Sequence, residues 1–377
     1  MKIAFILPSL AGGGAERVIV SLANGFSKKF NKVYLLLLDN RGVYQNEVLD
    51  SIEIIDLRSK RVLSSFFAVK QFLIKMEPDV IFSSISHLNI LILFIKKVLG
   101  KTKGKFVIRE SNTSSQLAKN NSSFKVLLVD ILRRIFYPKA DLIIAPSKGV
   151  AIDLIDNYKI INKKIEVISN PIDYDWLLSL SEKPLNDSYL EQSSSKFIIG
   201  VGALTKQKDF ETLIKAFSIV KKTHNCKLII LGEGPERQNL ENLVNKLNLS
   251  QDVYMPGFVE NPFNYLKVSN VFVLSSLYEG SPNVLIQALL LNVPCISTNC
   301  KSGPEEILMY GKYGQLVKKG NQLEMSKAIL NVFEVKWKSS NINGLNIKYD
   351  LGQIINQYFE NPVFSSAEYQ SLNVKSK

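Results

Sequence analysis

Between Ser275 and Ile307 the chain reads SSLYEGSPNVLIQALLLNVPCISTNCKSGPEEI, a pattern of strand end, tight turn and helix start. Pro282 suits the opening of a helix, where its fixed φ and missing N–H cost nothing. The next backbone N–H groups, of Asn283, Val284 and Leu285, have no intrahelical acceptor, and the helix dipole lies behind them. They form a seat for a diphosphate. Glu279, in the turn Glu279-Gly280-Ser281-Pro282, is placed to receive sugar hydroxyls, and Gln287, one turn into the helix, to reach a ribose. Taken alone, Glu279 reads more readily as a solvated loop charge. The turn and helix together point to a phosphorylated, hydroxyl-rich ligand.

Other segments offer competing chemistry. Three glycine-rich segments fail the dinucleotide fingerprint GxGxxG: Arg17, Thr205 and Arg237 occupy the places of the third glycine after Gly12/Gly14, Gly200/Gly202 and Gly232/Gly234. A nicotinamide-dependent oxidoreductase is disfavoured on that ground, and no GK[ST] phosphate loop exists. These glycines follow strands and open helices, so either phosphate contact or a tight βα turn explains each. Asp173-Tyr174-Asp175 spells a possible metal-binding DxD, but its position after Asn170-Pro171 suits a helix cap better. The two histidines, His87 and His224, lie far apart, and the cysteines Cys226, Cys295 and Cys300 form no CxxC pattern, so no metal site is expected. Free thiols suit a cytoplasmic chain.

The elements that must position these residues are short apolar strands alternating with longer helical patterns. Strands are expected at Lys2–Leu7, Lys32–Leu38, Val80–Ser83, Phe106–Arg109, Leu142–Ala145 and Ile165–Ile168. They resume at Phe197–Gly202, Lys227–Leu231, Val253–Met255, Val271–Ser275 and Pro294–Thr298. Continuous apolar strands separated by helices indicate parallel sheets covered on both faces. With 377 residues and a polar, Ser-rich stretch at Leu180–Lys196, the chain is read as two doubly wound α/β domains, over residues 1–178 and 179–345, with residues 346–377 beyond them, which the family resemblance named below makes a terminal helix and tail.

Charge separates the halves. Residues 1–178 hold 26 Lys+Arg against 16 Asp+Glu, a net of +10; the remaining 21 and 18 give the second half +3. The stretches 88–105 and 124–139 combine apolar runs with Lys96, Lys97, Lys101, Lys103, Arg133 and Arg134, as interfacial helices do. Two core helices with solvated ends are the alternative. The longest uncharged stretch, Gly280–Cys300, carries Pro282 and Pro294 and reads as a buried helix and strand, so no transmembrane helix is expected. No basic stripe with interleaved aromatics suggests nucleic acid.

The motifs LAGGGAERV (Leu10–Val18), ADLIIAPS (Ala140–Ser147), IEVISNPID (Ile165–Asp173), VGALTKQKDFETLIKAF (Val201–Phe217), LIILGEGP (Leu228–Pro235) and the 275–307 block, in this order, resemble the retaining glycosyltransferases of family 4, group 1. That resemblance implies the GT-B fold, two facing Rossmann-like domains with a C-terminal helix crossing back to the first. It also implies transfer of a sugar, hexosyl or N-acetylhexosaminyl, from a nucleoside diphosphate donor without a metal or other cofactor.

By the same resemblance Lys208 contacts the donor phosphates and Glu279 the donor sugar, as the catalytic residues. Gly280, Ser281, Pro282, Asn283, Val284, Leu285 and Gln287 line the donor site, Val259 meets the base, and Gly12, Gly13 and Gly14 approach the diphosphate or the acceptor. His87, Arg109 and Glu110 are acceptor candidates in the first domain. Two positions depart from the family pattern: Gln287 replaces a second glutamate and Ala203 an arginine. They motivate the alternative of a catalytically impaired nucleotide-sugar-binding protein. The wording at 296–307 and 109–112 resembles bacterial enzymes of surface-polysaccharide or lipid-linked oligosaccharide assembly. That implies a UDP-linked donor, a glycan or polyprenyl-diphosphate-linked acceptor, and a peripheral place on the anionic inner face of the plasma membrane, reached through the N-terminal domain.

Overall fold

The computed structural model describes residues 1–365 except 31, 60, 121–122, 186, 192–194 and 336–342. The chain forms two compact units, Met1–Ile172 with Lys348–Lys377, and Asp173–Ile347. The first is built on seven parallel strands: β1 (Lys2–Leu7), β2 (Lys32–Leu37), β3 (Ile52–Asp56), β4 (Val80–Ser83), β5 (Lys105–Arg109), β6 (Leu142–Ala145) and β7 (Ile165–Val167). Their order in the sheet is β3-β2-β1-β4-β5-β6-β7. The second has six: β8 (Lys196–Val201), β9 (Cys226–Leu231), β10 (Val253–Gly257), β11 (Val271–Leu274), β12 (Cys295–Thr298) and β13 (Gln315–Val317), in the order β10-β9-β8-β11-β12-β13. Both are the doubly wound α/β sheets expected from the continuous apolar strands.

Alternate side chains of β1 show why the first sheet needs cover on both faces. Ile3, Phe5 and Leu7 enter one core with the helix Gly14–Ser27, while Ala4 and Ile6 enter the other with the helices Phe66–Met76 and Ser86–Leu99. The C-terminal helix Leu351–Glu360 completes the first of these cores, returning to the first unit as the fold class implies. Asp350 caps it, accepting from the Gln353 N–H at 2.8 Å, and Phe359 stacks on Phe26 with ring centroids 5.4 Å apart. Residues 366–377 of the expected tail lie outside the described residues.

The expected division at residues 178 and 179 falls inside the helix Tyr174–Ser181, which belongs wholly to the second unit. The polar stretch that follows is held by that unit. Asp187 accepts from the hydroxyls of Tyr254 at 3.1 Å and Tyr265 at 2.7 Å, and Tyr189 stacks on Tyr254 at 4.4 Å. Among the described residues no helix is long and apolar enough to cross a membrane.

Candidate active site

In the second unit the loops after β8, β9, β10, β11 and β12 gather at the carboxyl end of the sheet, where open α/β sheets bind ligands. After β11 come Ser275 and Ser276, then the turn Glu279–Pro282 and the helix Asn283–Leu290. That helix buries Leu285 through Leu290, which fixes its start against the sheet end. Gly303, at φ +84°, lets the loop after β12 lie on this turn: a Cβ there would stand 2.7 Å from the Gly280 carbonyl oxygen.

Lys208 comes from the loop after β8, just before the helix Phe210–Val220, whose cap Asp209 accepts from the Thr212 N–H at 3.3 Å. The two loops are stitched together. The Ser275 hydroxyl donates to the Lys208 carbonyl at 2.6 Å, the Leu277 N–H to the Gln207 carbonyl at 2.8 Å, and the Gln207 amide to the Tyr278 carbonyl at 2.9 Å. Lys208 Nζ thereby meets Glu279 Oε1 at 2.6 Å, with side chains 18% and 7% exposed. The Ser276 hydroxyl donates to the same oxygen at 2.6 Å, and the Ser276 carbonyl accepts from Thr298 Oγ1. Ser276, which bonds the carboxylate, and Thr298, which holds the Ser276 backbone, are not among the residues expected from the sequence. The only signal for Ser276 was its place at the strand end before the turn.

The glutamate has its ammonium partner and a fixed orientation, a charge-assisted arrangement in a site of reduced dielectric. Neighbouring Cys300 is pushed up to about 12 by burial and, secondarily, by the Glu279 charge, so it is an inert thiol. Gln287 is buried on the helix one turn below Asn283, and Val259 is half-buried beyond the end of β10. Ser281 is buried in the turn. Of the three helix-start amides, that of Leu285 donates to the Pro282 carbonyl at 3.1 Å within the first turn. The glycine clusters after β8 and β9 serve loop packing. At Gly232, φ +138°, a Cβ would fall 2.0 Å from the Gly202 carbonyl oxygen, so two backbones touch there. Asp173 of the DxD sequence caps its helix by accepting from the Trp176 N–H at 3.0 Å. Among the described residues no three His, Cys, Asp or Glu side chains gather as a metal set.

In the first unit the sheet order brings the ends of β1, β4 and β5 side by side, and with them Gly12–Gly14, His87, Arg109 and Glu110. Gly13 caps the helix Gly14–Ser27. The Tyr44 hydroxyl donates to the Gly12 carbonyl at 2.8 Å, with Arg17 over the Tyr44 ring at 4.3 Å. Arg109 is 1% exposed: its guanidinium donates to Ser84 Oγ at 3.3 Å and to Asn170 Oδ1, and Tyr358 of the C-terminal helix lies beside it. Glu110 is buried too, accepting from the Tyr137 hydroxyl at 2.7 Å and the Ser111 N–H at 3.2 Å. Arg133, also buried, donates to Ser86 Oγ at 2.8 Å and lies in the field of Glu110. His87 sits exposed on the first turn of the helix Ser86–Leu99, its imidazole held below the usual range by partial desolvation and by Arg133. Of the three acceptor candidates, the structure leaves only His87 at the surface.

Two parallel Rossmann-like sheets, with a C-terminal helix that returns to the first and an ion pair beside a helix start at the end of the second, are the parts of a GT-B fold. Residues 182–343 match the family model of glycosyl transferases group 1, and residues 12–176 that of glycosyltransferase family 4. A Campylobacter jejuni relative, N-acetylgalactosamine-N,N'-diacetylbacillosaminyl-diphospho-undecaprenol 4-alpha-N-acetylgalactosaminyltransferase, is 32% identical over 88% of this chain and 90% of its own. A glycosyltransferase of Methanocaldococcus jannaschii is 35% identical over 68% of each. Anabaena HepE in complex with UDP-glucose superposes with a TM-score of 0.79 at 19% identity, over 96% of this chain and 98% of that one. The chain belongs to the group 1 glycosyltransferases.

Proposed function

We propose that this glycosyltransferase moves a hexosyl or N-acetylhexosaminyl group from a UDP-linked donor to a hydroxyl of a polyprenyl-diphosphate-linked saccharide, with retention at the anomeric carbon, in assembly of a bacterial surface glycan. The observation that carries this reading is the Lys208–Glu279 pair at the carboxyl end of the second sheet, one turn from the start of the helix Asn283–Leu290. The Campylobacter relative's name specifies a diphospho-undecaprenol acceptor, and HepE was solved with UDP-glucose, which supports each half.

In this reading the second unit takes the donor and the first the acceptor. Lys208 leaves Glu279 for the donor diphosphate, and with the amides at Asn283 and Val284 stabilises the charge that develops on the leaving UDP. Glu279 then orients the sugar hydroxyls, Gln287 the ribose, and Val259 the base. The acceptor hydroxyl attacks the anomeric carbon as the bond to the diphosphate breaks, and the departing phosphate oxygen takes its proton. Gly12–Gly14 and His87 line the acceptor side, and the first unit rests on an anionic membrane from the cytoplasm. Mass-spectrometric assay of a UDP-sugar panel against polyprenyl-diphosphate-linked saccharides tests this. Sugar-extended lipid and free UDP are expected with one donor, whereas transfer from none of the panel would overturn the reading.

A further inference from the structure

The first unit carries an apolar, basic surface with no part in the donor chemistry. The helix Phe124–Phe136 turns Val129, Leu132, Arg133 and Phe136 inward. Its outer stripe is Phe124 (79% exposed), Leu127, Leu128, Ile131 and Ile135, so the helix is apolar on its solvent side as well as on its core side. Beside it, the helix Ser86–Leu99 exposes Phe94 and Val98, and the stretch before and along the helix Phe66–Met76 exposes Leu63 (86%) and Phe67 (72%). A chain of aromatic contacts joins all three: Phe67 to Phe66 at 5.2 Å, Phe66 to Phe94 at 5.5 Å, and Phe94 to Phe136 at 5.8 Å. All three helices pack into the same core on one side of the sheet, so their outer sides form one face. An exposed apolar face of this breadth marks an interaction surface.

Charge decides the partner. Residues 61–76, 86–105 and 123–136 together hold eleven Lys and Arg and a single acid, Asp130. Not all of these cations face outward, and the set named from the sequence divides. Lys96 pairs with Asp141 at 2.7 Å, Arg134 with Asp130 at 3.2 Å and the Asn157 carbonyl at 2.6 Å, and Arg133 is buried. Lys97, Lys101, Lys103 and Lys125 remain exposed around the apolar stripe. A second copy of this chain would bring exposed lysines against exposed lysines, whereas an acidic lipid surface complements them and accepts the apolar side chains.

We infer that this three-helix face is the seat on the bilayer, with Phe124, Leu127, Ile131 and Phe67 entering the lipid interface and the exposed lysines meeting acidic headgroups. The inference deepens the acceptor reading above and rests on it. It adds that insertion, more than charge, holds the enzyme at the membrane. The site is far in sequence from the donor residues, so membrane seating and donor chemistry are separable by mutation.

The experiment is co-sedimentation of the full chain with phosphatidylcholine vesicles, with and without about one-third phosphatidylglycerol. Wild type, Leu127→Ser/Ile131→Ser and Lys97→Gln/Lys101→Gln/Lys103→Gln are compared, with melting temperature and UDP binding as fold controls. Loss of the two apolar side chains is expected to weaken binding to both vesicle types by roughly tenfold or more. The triple lysine variant is expected to weaken it only on the acidic vesicles, with UDP binding unchanged in both variants. A single-tryptophan reporter, Phe124→Trp in a Trp176→Phe/Trp337→Phe background, is expected to shift its emission to the blue when vesicles are added. Vesicle binding that survives the apolar substitutions, an unshifted reporter, or concentration-dependent dimers that disappear in Leu127→Ser/Ile131→Ser would each overturn the inference. Failure of sugar transfer with vesicle binding intact would instead strike the acceptor reading alone.

Discussion

Each unit gathers charged side chains at the carboxyl end of a parallel sheet, but the two treat them differently. In the second, Lys208 and Glu279 hold one another at 2.6 Å with the ammonium still partly open to water. In the first, Arg109, Glu110 and Arg133 are each at most 2% exposed and bound into Ser84, Asn170, Tyr137 and Ser86. An ion pair whose ammonium is partly open can be exchanged for an anionic ligand, whereas buried groups bonded to several elements fix the fold around them, even with Arg109 Nε and Arg133 Nε and Nη1 left without a hydrogen-bond partner. The same topology thus yields a reactive edge in one unit and a braced one in the other.

The comparison breaks first on activity. Lys208→Ala is expected to reduce kcat by about 10²–10³, as loss of one preorganised group facing transition-state charge does, with UDP bound more weakly; steady-state kinetics and calorimetry together check it. Arg133→Ala should show the opposite pattern. It removes a buried side chain that donates to Ser86 and whose charge favours the Glu110 carboxylate, and costs about 1–3 kcal/mol of stability, read as an earlier urea midpoint, while UDP affinity stays the same. Ser276→Ala removes one of the hydrogen bonds that aim Glu279 and is expected to cost about 1 kcal/mol, roughly a fivefold drop in kcat, with a Thr substitution restoring part of it. The smallest effect is an absence. Burial raises the thiols of Cys226 to about 11 and Cys300 to about 12 and moves Cys295 the same way. At pH 8, below all three, the thiolate form is scarce, so the folded protein should not react with a disulfide reagent until it is unfolded.

Much of this was legible in the residues. Strands buried on both faces announce themselves as unbroken apolar runs, and those expected at Lys2–Leu7, Val80–Ser83 and Leu142–Ala145 form with those bounds. The strands that went unseen, β3 and β13, are edges. Only Ile52 of β3 is buried, and β13 has three residues, so neither carries a continuous apolar signal. The turn from Glu279 to Pro282 is local and so shows in the residues, whereas Lys208 is singled out only by the family resemblance of the motif around it. What a charge pairs with was not, since Lys96 finds Asp141 and Arg133 approaches Glu110 only through the sheet order. Gln287 and Arg109 show the same limit: their types suggest ligand contact, but burial is a property of the fold around them.

The central claim is that the second unit's Lys208–Glu279 pair receives a nucleoside diphosphate sugar, the lysine at the phosphates and the glutamate at the sugar. Calorimetric titration of wild type, Lys208→Ala and Glu279→Gln, each with UDP and with the UDP-sugar that the donor panel selects, separates the two roles. Lys208→Ala is expected to bind both ligands more weakly, and Glu279→Gln to bind UDP as wild type does while losing the added affinity for the sugar. Unchanged UDP affinity in Lys208→Ala would contradict the account.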